Sequence, residues 1–314
     1  MQINQMLVSK LQQMNDQLVE KYKYTARTQH EIRQKLRAAD THMHQMQVLS
    51  HVALKKALRG RQVAAVDGSV NQTQGVAPHV LYVFQALAKT TTGVACTRSD
   101  VYVPLLEERE QLQQKRRSYL LSKLELEAAY TLLEQEEIGL LLMDGALYHY
   151  RIDAPEEWAQ LVTLALARGT WLVGVSEEIT TENLIRLPAF ADVASDAYVY
   201  DRDLLFGVLQ QNEMIFIKDI QHKAGLQSAW MRLGSTPTIT GFDMLSEQAK
   251  DQQVVGDILC TLTPKEGRGI PLWLDYIDRE VRVTDQLMEG LIEQYIDVTV
   301  KQKLFTAMRQ NRPY

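Results

Sequence analysis

An α/β fold built on a mixed sheet flanked by helices, with a long helical N-terminal extension, is predicted by three observations. Runs rich in valine, tyrosine and threonine follow one another from residue 62, and strand and helix patterns alternate from residue 138. Before about residue 60 there is no proline, and apolar residues recur at helical spacing. Two predicted strands also end alike, in Asp67-Gly68 and Asp144-Gly145. A strand that delivers a carboxylate at its end beside a glycine suggests two acids brought together from distant parts of the chain, as a divalent-metal site requires.

The composition is that of a globular protein. With 314 residues, 46% of them hydrophobic and 23% charged, the chain can bury a substantial core, and neither disorder nor a membrane protein is indicated. No apolar run approaches the roughly 20 residues needed to span a bilayer, and the opening MQINQMLVSKLQQMNDQ is too polar for a signal peptide. Cys96 and Cys260 are the two cysteines and form no CxxC, so a disulfide framework or thiolate zinc site is not expected and a reducing cytoplasm is. A net charge of −5 argues against a uniformly basic nucleic-acid coat but leaves room for a local basic groove.

In chain order, Met6, Leu7, Leu11, Met14 and Leu18, then Ile32, Leu36, Met43, Met46 and Leu49, predict one or two long helices, partly coiled-coil. His42, His44 and His51 lack the i, i+4 spacing of a helical chelating pair and are expected on a solvated face. Arg33, Lys35, Arg37, Lys55, Lys56, Arg59 and Arg61 could follow a phosphate backbone, although taken singly each fits a solvated surface. Strands are predicted at 62–67, 79–89 and 92–103 as an antiparallel meander; its turn at 89–93 lacks the GKS or GKT order of a phosphate loop.

A charged helix is expected over 105–137, with Lys115, Arg116 and Arg117 early and Glu125, Glu127 and Glu134 later. The wholly apolar 138–144 reads as a central strand covered on both faces. Pro155 starts a helix that Gly169 ends, and 170–176 is the next strand, so strand, helix and strand form a parallel crossover. Further strands are expected at 196–200, 214–218 and 229–233, and helices at 204–210, 247–262 and most of 281–309, the last around a short strand start. Asp275 and Asp278 lie in an apolar setting after Pro271, and Asp201 and Asp203 suit a helix start. Tyr148 and Tyr150 suit packing and His149 an exposed position.

A three-strand meander, a helix, then parallel strand, helix and strand is the order of a ribonuclease-H-like core. There the first and fourth strands lie side by side, so Asp67 and Asp144 meet at one end of the sheet with a helix carboxylate beside them. Clustered carboxylates repel one another unless a cation sits among them, and oxygen-only ligands select magnesium or manganese. Two such ions about 4 Å apart can activate water and stabilise the leaving oxygen in phosphodiester cleavage.

These segments resemble the NurA nuclease family: AVDGS at the first acid, LELEAA on the charged helix, LLLMDGAL at the second aspartate, then GVS, DRDLL and GIPLWLDYIDREVRV. The resemblance runs from about residue 60 to 300 and rests on order and spacing, since DGS or DGA alone says little. It implies a division into a helical extension, 1–60, and a nuclease domain, 61–314. It also implies a manganese- or magnesium-dependent, end-trimming DNA nuclease that acts in double-strand break repair as a homodimer with a HerA-type hexameric translocase.

By this resemblance Asp67 and Asp144 are metal ligands, and Asp278 in YIDREV completes the second metal site or orients a water. Glu125 is the preferred helix ligand, because its spacing to Ala129 fits the family's Glu-x-x-x-Ala pattern; Glu127 is the alternative, since periodicity does not decide between them. From the residues alone, Lys115, Arg116 and Arg117 fit a solvated helix face or, as the alternative, a DNA contact. Two departures stand out: Glu177-Glu178 where a lysine is expected after GVS, and Ala146 where serine is commoner. They leave open a weakened nuclease serving as a clamp for a translocase; a separate alternative is a coiled-coil adaptor in which the helices of residues 1–60 dominate.

Overall fold

A computed structural model describes residues 4–22, 29–39, 41–106, 113–177, 179–191, 200–217 and 225–305. Its centre is a nine-stranded sheet in the order β1-β7-β8-β9-β6-β5-β2-β3-β4. The strands are β1 (His42–Gln45), β2 (Gln62–Gln72), β3 (Tyr82–Thr90), β4 (Ala95–Tyr102), β5 (Ile138–Asp144), β6 (Trp171–Ser176), β7 (Glu213–Phe216), β8 (Leu226–Arg232) and β9 (Thr240–Leu245). β2 runs parallel to β5 and β5 to β6, and every other pair is antiparallel. The block β4-β3-β2-β5-β6 is the expected ribonuclease-H-like core.

The sheet is a central layer because its inner strands are apolar on both faces. Side chains alternate along a strand, so Ala64, Val66, Leu141 and Met143 enter one core with the helices Gln113–Gln135 and Pro155–Arg168. Val63, Ala65, Leu140 and Leu142 enter the other core with the helices Gln252–Leu262 and Leu272–Val281. The helix Pro155–Arg168 starts on its proline and ends at Gly169, whose φ of 60° closes it in the left-handed region.

Four expectations need correction. Residues 42–45 are not helical: His42–Gln45 adds an edge strand against Glu213–Phe216, and His42 stacks on its partner Phe216 with ring centroids 5.1 Å apart. The three-residue spacing of Met43, Met46 and Leu49 suits a helix, but the open edge of β7 supplies hydrogen bonds that no local pattern reveals. Second, β9 lies in a stretch without an expected strand, because glycine and aspartate within Thr240–Leu245 are poor strand formers alone. It forms between β6 and β8, which pair with it on both sides.

Third, the helix expected over 204–210 is the shorter Asp201–Leu205. Fourth, 281–309 holds the helices Asp285–Tyr295 and Val298–Val300 and a short π-helix, with no strand among its described residues. The expected strand at 196–200 falls mostly outside the described residues, as do Lys218, Glu178 and 306–309. No helix among the described residues is long and apolar enough to cross a membrane.

Several basic residues of the N-terminal region are structural. Arg33 makes a bidentate pair with Glu213 at 2.6 and 2.8 Å, Lys35 donates to the Ala189 carbonyl, and Arg61 donates to the carbonyls of Arg168 and Gly169. Ile32 and Leu36 are buried with Phe190 and Leu204. His44 Nε2 is 2.9 Å from Asp257 Oδ1.

Candidate active site

The parallel pairing of β2 with β5 ends at Val66 and Met143, one residue before each acid. Asp67 and Asp144 therefore emerge side by side where the two strands part. Both belong to the alternate positions whose side chains face the helix Leu272–Val281, and Asp278 lies on that helix.

Glu125 arrives from the opposite face, on the helix Gln113–Gln135. It reaches the strand because Gly68 has no side chain: a Cβ built on Gly68 would overlap Glu125 Oε1 and come within 2.7 Å of Leu121 Cδ1. β2 does not end at Asp67 as expected, but continues to Gln72, with Gly68 paired to Ala86. The first Asp-Gly is a window in a strand. The second is a turn: Gly145 has φ 87°, and its N–H donates to the Val175 carbonyl at 2.8 Å. Gly174 on β6 makes room for that turn, since a Cβ there would meet Gly145 O at 2.5 Å.

Asp67 is 7% exposed and Glu125 6%, whereas Asp144 is solvent-open. Burial pushes the Asp67 carboxyl up to about 7, and the neighbouring Asp144 adds to the shift, against a stabilising hydrogen bond from the Gly68 N–H. Burial pushes Glu125 up to about 8; a hydrogen bond with Tyr150 opposes the shift, and Asp67 and Asp144 reinforce it. Asp144 is raised too, first by desolvation where its carboxyl meets the protein, then by Glu177 and Asp278. The two carboxyl groups lie within reach of each other where the strands part. Tyr150 donates to the Asp144 backbone carbonyl at 2.9 Å, tying the turn to the glutamate.

The remaining expected residues divide. Asp278 is close enough to raise both aspartates and pairs with Arg282 at 3.0 Å. Glu127, the alternative helix ligand, is not brought to the cluster: it sits 3.7 Å from Lys123 and lines a separate groove with Arg98 and Tyr130. Two residues turn a helix by about 200°, which is why one glutamate faces inward and the other outward. Lys115 and Arg116 are exposed near the start of the same helix, and Arg117 donates to the Tyr82 hydroxyl at 3.1 Å. Asp201 is engaged elsewhere, accepting from the Thr181 hydroxyl and three backbone N–H groups.

Two neighbours went unread in the sequence. Asp243 on β9 accepts from the Ser228 hydroxyl at 2.5 Å and from the Leu147 N–H, holding the start of the helix Leu147–Asp153 where Ala146 offers no side-chain cap. Arg268 is 3.4 Å from Glu177 and 2.5 Å from Asp275. Its setting, arginine between two glycines just before PLWLDYID, is the local signal that could have pointed to it.

The donor set fits a hard divalent cation. It is all oxygen, its members raise one another's proton affinity, and a cation would relieve that repulsion. Among the described residues, no three His, Cys, Asp or Glu side chains already stand together as a metal-holding group. The exposed Asp144 and the half-buried Asp278 border the buried pair.

Fold and site together define a ribonuclease-H-like protein with carboxylates clustered where its first and fourth core strands diverge. Within that class, residues 61–283 match the NurA domain, and the chain belongs to the NurA family. It is similar to the crystal structure of the NurA nuclease from Sulfolobus solfataricus, at 15% identity and TM-score 0.63 over 93% of this chain and 96% of that one. A second NurA crystal structure is similar at 11% identity and TM-score 0.54, over 93% and 98%. A comparison with curated proteins returns no match.

Proposed function

We propose that this chain is a metal-dependent DNA nuclease that hydrolyses phosphodiester bonds at DNA ends. The observation that carries the reading is the meeting of Asp67, Glu125 and Asp144 from three separate elements in a NurA-family fold. Asp67, Glu125, Asp144 and Asp278 are the residues that would hold manganese or magnesium. A pair of such cations, when bound, supplies Lewis-acid stabilisation of the attacking and departing oxygens. Gly68 admits Glu125 to the site, Tyr150 orients that glutamate and the turn, and the apolar walls of both cores limit water on the buried side.

The family supports end resection in double-strand break repair, as a homodimer with a HerA-like hexameric translocase. The two free, buried cysteines support a reducing cytoplasm. Asp67→Ala is expected to reduce manganese-dependent degradation of a linear duplex by more than about 100-fold, exceeding the usual loss from an outer-shell change. Undiminished degradation by that variant would remove Asp67 from the site.

One observation favours a second reading. Glu177 places another negative charge beside Asp144 where the family resemblance leads one to expect a lysine. On that reading the fold is a weakened nuclease acting as a clamp. Wild-type protein that retains a translocase yet degrades no DNA in manganese would establish it. The coiled-coil adaptor has less support, because β1 and the helix Gln29–Ala38 are packed into the fold.

A further inference from the structure

Six acids crowd the place where β2 and β5 part: Asp67, Glu125, Asp144, Glu177, Asp275 and Asp278. A DNA phosphate entering there meets a strongly negative rim. Among the described residues two guanidinium groups are ion-paired to these acids. Arg282 pairs with Asp278 one turn back along the chain, at the end of the same helix. Arg268 instead joins two elements, Glu177 just past β6 and Asp275 in the first turn of the helix Leu272–Val281. It also feels the charge of Asp278.

The backbone around Arg268 is tied down by hydrogen bonds, and its side chain is open to solvent. Thr240 donates to the Gly269 carbonyl at 2.6 Å, the Gly267 N–H donates to the Pro264 carbonyl at 3.2 Å, and Ser235 N–H holds the Lys265 carbonyl at 2.9 Å. Gly269 takes φ 87° in the same segment. The Arg268 side chain, by contrast, is 52% exposed, and those of its partners Glu177 and Asp275 are 39% and 44% exposed. Exposed ion pairs of this kind contribute little and exchange readily. Glu177 and Asp275 each meet the guanidinium through a single oxygen, whereas a phosphate can engage the planar fork of arginine with two at once.

We propose that Arg268 is the phosphate-gripping residue of this site, held by Glu177 and Asp275 until a DNA phosphate beside the scissile bond takes their place. The proposal rests on the nuclease reading above. It gives Glu177 a role: the acid beside Asp144 is the holder of a cation delivered from another loop.

The test measures binding of a fluorescein-labelled linear duplex by anisotropy across a potassium chloride series in calcium, alongside degradation in manganese. Arg268→Ala is expected to bind about 10-fold more weakly at moderate salt, the loss of one charge-assisted contact. Its slope of log affinity against log salt should be shallower by about 0.9, one phosphate contact fewer. Arg268→Lys should recover the slope but only part of the affinity, because a point charge replaces the fork. Glu177→Gln should bind more tightly than wild type.

Wild-type affinity and slope in both Arg268→Ala and Arg268→Gln, with unchanged thermal stability, would overturn the proposal while leaving the nuclease reading intact. A wild-type protein that binds duplex but never degrades it would sink the nuclease reading instead. The Arg268 variants would still report on the phosphate contact. A wild-type protein that neither binds nor degrades DNA would overturn both.

Discussion

The two Asp-Gly pairs carry the same letters and do opposite things. At Asp67-Gly68 the strand runs on, the acid is buried, and the glycine is the opening through which Glu125 arrives from the other face of the sheet. At Asp144-Gly145 the strand stops, the acid faces solvent, and the glycine takes φ 87° with no atom within 4 Å of the place a Cβ would occupy. A glycine beside a catalytic-type acid can thus serve space or backbone conformation, and only its neighbours say which.

The sharpest way to break this comparison is Gly68→Ala. Its methyl group would displace Glu125 and Leu121, so we expect activity to fall by more than about 100-fold, as for loss of a ligand, with about 1–3 kcal/mol of overpacking. Stability should partly recover in Gly68→Ala combined with Glu125→Ala, which a denaturation double-mutant cycle would measure. Strictly additive effects would show that the glycine is not making room for the glutamate.

Next comes pH. Asp67 and Glu125 titrate near 7 and 8 in the folded protein, against ordinary values of 3.8 and 4.5. Folding favours their protonated forms, so the metal-free protein is most stable below the unfolded values and loses stability as pH rises from about 4 through about 8. The melting temperature without metal should therefore fall between pH 6 and pH 9 by several degrees, and manganese should restore most at the alkaline end. Asp67→Asn and Glu125→Gln should each flatten the metal-free slope, and Asp144→Asn less so because Asp144 is open to water. Equal slopes in wild type and Glu125→Gln would contradict the assignment.

The smallest effect is expected at the turn. Gly145→Ala meets no neighbour but must hold a left-handed backbone, which costs about 1–2 kcal/mol. Thermal denaturation should show that loss, and degradation should drop far less than in Gly68→Ala. A collapse of activity in Gly145→Ala would mean that the second glycine also makes room for a ligand.

Much of the core was legible because it is written in short-range patterns. The apolar run at 138–144, the proline and glycine bounding 155–168 and the three-strand meander each report local backbone preference and burial; the first two form where expected, and the meander forms with its first strand running on past Asp67 to Gln72. Two strands were not legible, the edge strand β1 and the interior strand β9. His42–Gln45 and Thr240–Leu245 have no strong strand pattern and form because neighbouring edges offer them partners.

For the site, the sequence by itself determined which acids were available and that Asp67 and Asp144 end up side by side, since strand order and alternation place them. It could not choose between Glu125 and Glu127, because a residue's direction around a long helix depends on how that helix seats on the sheet. Nor could it find Arg268, which joins Glu177 and Asp275 only after three distant segments have packed together. Hydrogen-bonding pattern and hydrophobicity are properties of neighbouring residues along the chain. The reach of one carboxylate past a glycine, and the capture of an arginine by two acids, are properties of packing.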